Sequence, residues 1–112
     1  MGKAILASLP QATVESMIAR TGMPTPTAKS HATLDALLAD LTVIRSRGFA
    51  IDDEEQELGV RCYAVLIPGT PTPMAVSVSG PLARVDLDFG ERAVPVLTAA
   101  ASRISRSLSV TA

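Results

Sequence analysis

The hydrophobic period of this chain changes at Gly48, and that change limits the fold more than any other feature. Before it, Leu34, Leu37, Leu38, Leu41 and Ile44 recur at spacings of three and four, the apolar stripe of an amphipathic helix. The spacing predicts a helix over 31–47, with Ser30 as its N-cap and Gly48 as the residue that ends it. Arg45 and Arg47 suit the negative end of its dipole. After Gly48 the period is two, which predicts strands over 49–53, 60–67 and 74–79. An acidic run closed by Gly59 forms the first turn, and Pro68, Pro71 and Pro73 force the second. Gly80-Pro81 is expected to end the third strand. Three consecutive strands with short connections make an antiparallel meander. Short helices are expected over 2–9 and 11–20, followed by a loop through Pro24 and Pro26. In the last segment Val94, Leu97, Ala101, Ile104 and Leu108 repeat at helical spacing, so a helix should start or kink at Pro95 and cover one side of the sheet. The expected class is α+β, a three-stranded antiparallel meander packed with helices.

Composition narrows the functions. At 112 residues the chain is one domain, and 47% apolar residues give it enough for a core. Aromatics are only 3%, which excludes a platform on which single-stranded nucleic acid stacks. Five of the eleven acids (Asp52, Asp53, Glu54, Glu55, Glu57) fall in one short run, and the ten basic residues are spread thinly. No basic stripe is present to neutralise a row of phosphates, so direct contact with nucleic acid is not expected. No apolar run is long enough to cross a membrane. The single cysteine, Cys62, cannot form an internal disulfide, which suits a reducing cytoplasm.

Alternation divides the strands into two faces. Tyr63, Val65, Ile67, Met74, Val76 and Val78 form a bulky face on which helices should pack. Cys62, Ala64, Ala75, Ser77 and Ser79 form the other, small and partly polar. A shallow face with hydroxyls and a thiol is compatible with a small-molecule pocket, although the pattern alone favours serines that face water. Cys62 reads as a small apolar residue rather than a nucleophile. His31, the single histidine, reads as solvent-exposed at a helix start. No metal-ligand cluster, phosphate loop or nucleophile elbow is visible, so neither a catalytic site, a metal nor a cofactor is expected.

Four segments together carry a resemblance: GKAILASLP at 2–10, the loop ending at Thr27, LTVIRSRGFAIDDEEQELGVRCYAV at 41–65 and VSVSGPLARV at 76–85. The chain resembles the effector-binding domain of IclR-type transcriptional regulators over nearly its whole length. That resemblance implies a GAF-like α/β sensor for a small metabolite, in regulators that bind DNA through a separate winged helix-turn-helix. It further implies that residues 1–112 are the C-terminal portion of the sensor domain. They would begin at the Gly-Lys-Ala helix without the DNA-binding domain, as a fragment or a shortened gene product. The ligand residues it implies are Asp52, Cys62, Ser77 and Ser79, with backbone at Gly2. Hydroxyls at Ser77 and Ser79 and the Cys62 thiol can donate to a carboxylate. Asp52 must accept from a ligand hydroxyl or take up a proton, so a hydroxy-acid or hydrated keto-acid fits best. The chain is therefore expected to be an organic-acid sensor rather than an enzyme, and to form a homo-oligomer because its sheet has open edges. Two alternatives are a small cysteine-dependent enzyme using Cys62 with His31 or Asp52, and a ligand-free oligomerisation fragment.

Overall fold

The computed structural model describes residues 2–111, with side chains as far as Leu108. The elements run α1 (Gly2–Ala7), α2 (Gln11–Thr21), α3 (Leu34–Arg47), β1 (Ala50–Asp53), β2 (Val60–Ile67), β3 (Met74–Pro81) and α4 (Leu87–Thr111). The strands form one antiparallel sheet in the order β1-β2-β3, the expected meander.

Local chemistry explains the boundaries. The N-cap of α3 is Thr33, not Ser30: its hydroxyl accepts from the Ala36 amide at 3.2 Å, and the helix starts three residues later than expected. Ser30 lies in the preceding loop, where its hydroxyl donates to the Glu55 carbonyl. Gly48 ends α3 in the left-handed region (φ 92°), and its amide donates to the Ile44 carbonyl at 2.8 Å. β3 continues two residues beyond the expected stop, with Gly80 opposite Arg61 and Pro81 opposite Val60. A proline is tolerated there because β3 is an edge strand whose outward amides need no ladder partner. α4 begins at Leu87, eight residues before Pro95, and carries that proline inside it.

Helices cover both faces of the sheet, whereas the sequence suggested one covered face. Tyr63, Val65 and Ile67 pack with Val85, Leu97 and Ala101 beneath α4. On the other face Ala50 and Ala64 pack with Ala4 and Ala7 of α1 and Leu37, Leu41 and Ile44 of α3. Alanine against alanine lets α1 lie close to the strands. Arg45 then ties α1 to α3 by donating to the Ala7 and Leu9 carbonyls at 2.7 and 3.2 Å. The α4 stripe buries Leu97 and Ala101, but Ile104 and Leu108 remain 36% and 40% exposed because the helix outruns the sheet. Met74, at the open end of β3, is also exposed.

The closest fit in the α4 core is at Gly90. A Cβ there would stand 2.2 Å from Cζ of Tyr63 and 2.4 Å from its hydroxyl oxygen. Helix propensity alone favours alanine over glycine by about 1 kcal/mol, while overpacking costs about 1–3 kcal/mol or more. The contact is with a buried ring held on a central strand, so the steric cost should dominate. Urea unfolding of Gly90→Ala should show a net loss of stability; a gain would mean that Tyr63 moves aside freely.

Candidate functional site

The meander register brings three of the expected site residues into one row. Asp52 of β1 lies opposite Cys62 of β2, and Cys62 lies opposite Ser79 of β3. At about 4.8 Å per strand the row is roughly 10 Å long. Ser77 belongs to the neighbouring row, opposite Ala64. That neighbouring row is buried under α1 and α3 at Ala50 and Ala64, whereas Asp52 and Cys62 are only half-buried and Ser77 and Ser79 are exposed. The shelf thus emerges where α1 begins.

Beside the β1 end of the shelf lies a half-open cleft of about 270 Å³. Gly2 and Asp52 line it, together with Lys3, Leu6, Ile18, Met23, His31, Leu37 and Glu55. Cys62, Ser77 and Ser79 do not; they sit on the same sheet face toward β3. A larger cavity of about 420 Å³ lies on the opposite face, against Ile51, Tyr63, Gly90 and Val94, and its walls are almost entirely apolar.

An ionic cluster holds the walls of the cleft together. The Lys3 ammonium donates to Asp40 Oδ2 at 2.6 Å, to the Ile51 carbonyl at 2.6 Å and to Glu55 Oε2 at 2.8 Å. Its side chain is only 13% exposed, and its three donors have three acceptors. His31 Nε2 lies 2.8 Å from Asp40 Oδ2 and 3.3 Å from Glu55 Oε1, so the histidine is partly buried and partnered rather than solvent-exposed. Five segments meet here: α1, the loop before α3, α3 itself, β1 and the β1–β2 turn. The turn is shaped by Asp52, whose Oδ1 accepts from the Glu55 and Gln56 amides at 2.9 and 3.3 Å. Glu54, at φ 61°, pairs with Lys29. Hydrogen bonds from Lys29 and then from the Gly59 amide hold the Glu54 carboxyl below its ordinary pKa. Among the described residues His31, Asp40 and Glu55 are the group with spacing suited to a metal. The Lys3 ammonium already pairs with both of those carboxylates, and no metal is assigned to them.

Sequence reasoning missed Lys3, Asp40 and Glu55 as site residues. One signal was present: Asp40 falls between Leu37 and Ile44 on the apolar stripe of α3, where a charge needs a partner.

These features set a shelf of small, partly polar side chains beside a walled cleft. The chain belongs to the bacterial transcriptional regulator IclR C-terminal family, whose model matches residues 1–106. It is 40% identical over 92 residues to the transcriptional repressor IclR of Escherichia coli (strain K12), covering 78% of this chain and 32% of that protein. It is similar to the Thermotoga maritima IclR structure (33% identity, TM-score 0.87, covering 96% of this chain and 44% of that one). The C-terminal domain of E. coli KdgR is also similar (30% identity, TM-score 0.86, 95% and 66% covered). The chain spans about a third of the length of the curated E. coli IclR relative.

The cluster makes a pH prediction. Burial pulls the Asp40 carboxyl upward, but hydrogen bonds and charge from Lys3 and His31 outweigh it and hold the group below its ordinary pKa. Stability from such a group is present in full above the unfolded value of about 4 and is lost as pH falls through the folded value. Urea unfolding should therefore weaken more steeply below pH 4 in the wild type than in Lys3→Met. Equal acid slopes would show that this contact does not carry the effect.

Proposed function

We propose that this chain is the C-terminal portion of an organic-acid sensor in a cytoplasmic regulator, whose DNA binding is performed by a separate domain and controlled by the ligand. The observation that carries this is the row Asp52–Cys62–Ser79, half-open at the start of α1, on a chain of the IclR type. The ligand carboxylate lies toward β3, where Ser79 offers a hydroxyl donor, with Cys62 opposite it and Ser77 one row away. A ligand hydroxyl, or the hydrate of a keto group, donates to Asp52. Gly2 bounds the cleft at the same end as Asp52. The cysteine-enzyme alternative has Asp52 opposite Cys62, but Asp52 Oδ1 is held by the Glu55 and Gln56 amides. His31 turns Nε2 to Asp40 and Glu55, and the Cys62 thiol lies 3.8 Å from the carbonyl of its own neighbour, Tyr63.

Ser79→Ala should weaken binding of a small hydroxy-acid by about 1–3 kcal/mol, the cost of leaving a charged acceptor without its donor. Thermal unfolding should barely change, because Ser79 is exposed on an edge strand. Calorimetry with glycerate on both proteins tests this, and equal affinities would remove Ser79 from the site.

We further propose a homo-oligomer. β1 and β3 are both sheet edges, and Leu87 and Val96 of α4 are 65% and 68% exposed. Unpaired edge amides and exposed apolar side chains both favour association. Sedimentation at micromolar concentration should give a species heavier than the 11.6 kDa monomer; a clean monomer would end the proposal.

A further inference from the structure

We infer that a second copy of this chain joins the sheet at β3, its own β3 antiparallel to the first, with position 77 opposite itself across a two-fold axis. This rests on the homo-oligomer reading above and adds to it the surface used.

The two edges of the sheet differ. The Glu54 amide donates to the Val60 carbonyl at 3.0 Å, which continues the β1–β2 ladder. In an antiparallel ladder bonded and non-bonded residues alternate. Asp52 and Ala50 therefore bond inward to β2, while Phe49, Ile51 and Asp53 turn their backbone groups outward. Side chains close three of those groups. Arg47 Nε donates to the Phe49 carbonyl at 3.1 Å and Lys3 Nζ to the Ile51 carbonyl at 2.6 Å, while Glu55 Oε2 accepts from the Asp53 amide at 3.1 Å. Charged side chains laid along an edge strand keep a further strand from pairing with it.

β3 has no such cover. The Leu82 amide donates to the Gly59 carbonyl at 3.0 Å, so Gly80, Val78 and Val76 bond inward to β2 and Ala75, Ser77 and Ser79 turn outward. Among the described residues no side chain bonds to the backbone of Ala75 or Ser79. The strand carries no charge, and its one proline stands at its end.

α4 points the same way. Leu97 and Ala101 face the sheet, and Leu87, Glu91 and Pro95 line the cavity beside Phe49 and Ile51, on the β1 flank of the helix. At about 100° per residue, Ala100 and Ile104 fall on the opposite flank, above the β3 edge. With Arg103, Ser107 and Leu108 they line a further cavity of about 400 Å³. A strand added at β3 would lie beneath this flank and cover it.

The β3 edge is also self-complementary. With Ser77 at the two-fold axis, Ala75 of one copy lies opposite Ser79 of the other, and outward amides meet outward carbonyls. Centring the axis on Ala75 or Ser79 instead would leave more of the strand unpaired.

Charge at position 77 tests this. Ser77 is exposed, and like charges directly opposite on paired strands are unfavourable whereas unlike charges attract. Sedimentation of the wild type at micromolar concentration should give a species heavier than 11.6 kDa. Ser77→Lys and Ser77→Glu should each raise the Kd of self-association by about threefold or more. The two variants mixed should bind each other more tightly than either binds itself. Thermal unfolding checks that each is folded, and Ser77→Arg with Ser77→Asp replaces the pair if one is not. A merely structural fault at position 77 would not be repaired by mixing. Variants that associate as the wild type does, or a mixture no tighter than its components, overturn the β3 assignment and leave the homo-oligomer reading in place. A monomeric wild type overturns both.

Discussion

β2 is the strand on which everything else is arranged, because it alone is paired on both sides and packed on both faces. A strand so placed must satisfy two different cores within eight residues. It does so by alternating size: Tyr63, Val65 and Ile67 fill the wide space beneath α4, while Ala64 leaves room for α1 to lie close to the sheet. A register slip of one residue would bring the large side chains under α1 and leave alanine and cysteine beneath α4. Gly90 belongs to the same constraint, since only a residue without Cβ lets α4 approach the Tyr63 ring.

The position of α1 determines where the site can be. Its alanines cover the row Ala50–Ala64, and its first residues stop short of the row Asp52–Cys62–Ser79. The shelf is therefore the part of the small-residue face that α1 leaves uncovered. Lys3 joins this packing to the electrostatics: from the first turn of α1 it reaches across to α3 and to the acidic turn. A hydrogen-bonded, part-buried ammonium between two carboxylates is held more firmly than an exposed pair, because its charge is screened less by solvent. The cleft wall is in this way built from groups that satisfy one another.

Much of this was legible in the residues. The switch of period at Gly48, the prolines between β2 and β3 and the alternation within the strands yield the meander and the shared face of Cys62, Ser77 and Ser79. Boundaries were less legible where two chemistries competed. Ser30 and Thr33 are both good caps, and Ser30 is drawn away by the Glu55 carbonyl, a partner distant in sequence. Gly80-Pro81 reads as a stop, but an edge strand tolerates proline, and edge status is not a local property. Pro95 falls within α4 because packing of Leu97 and Ala101 on the sheet holds the helix together on either side of it.

By itself, the sequence determined what depends on neighbours along the chain: the elements, their order, the two faces of each strand and the family to which its motifs point. Only the tertiary structure decided that helices cover both faces, that His31 is partnered, and that Lys3, Asp40 and Glu55 meet at the cleft. The physical reason is range. Periodicity and turn chemistry act over a few residues, whereas an ammonium at position 3 meets carboxylates at 40 and 55 only after three helices and a sheet have fixed the distances between them.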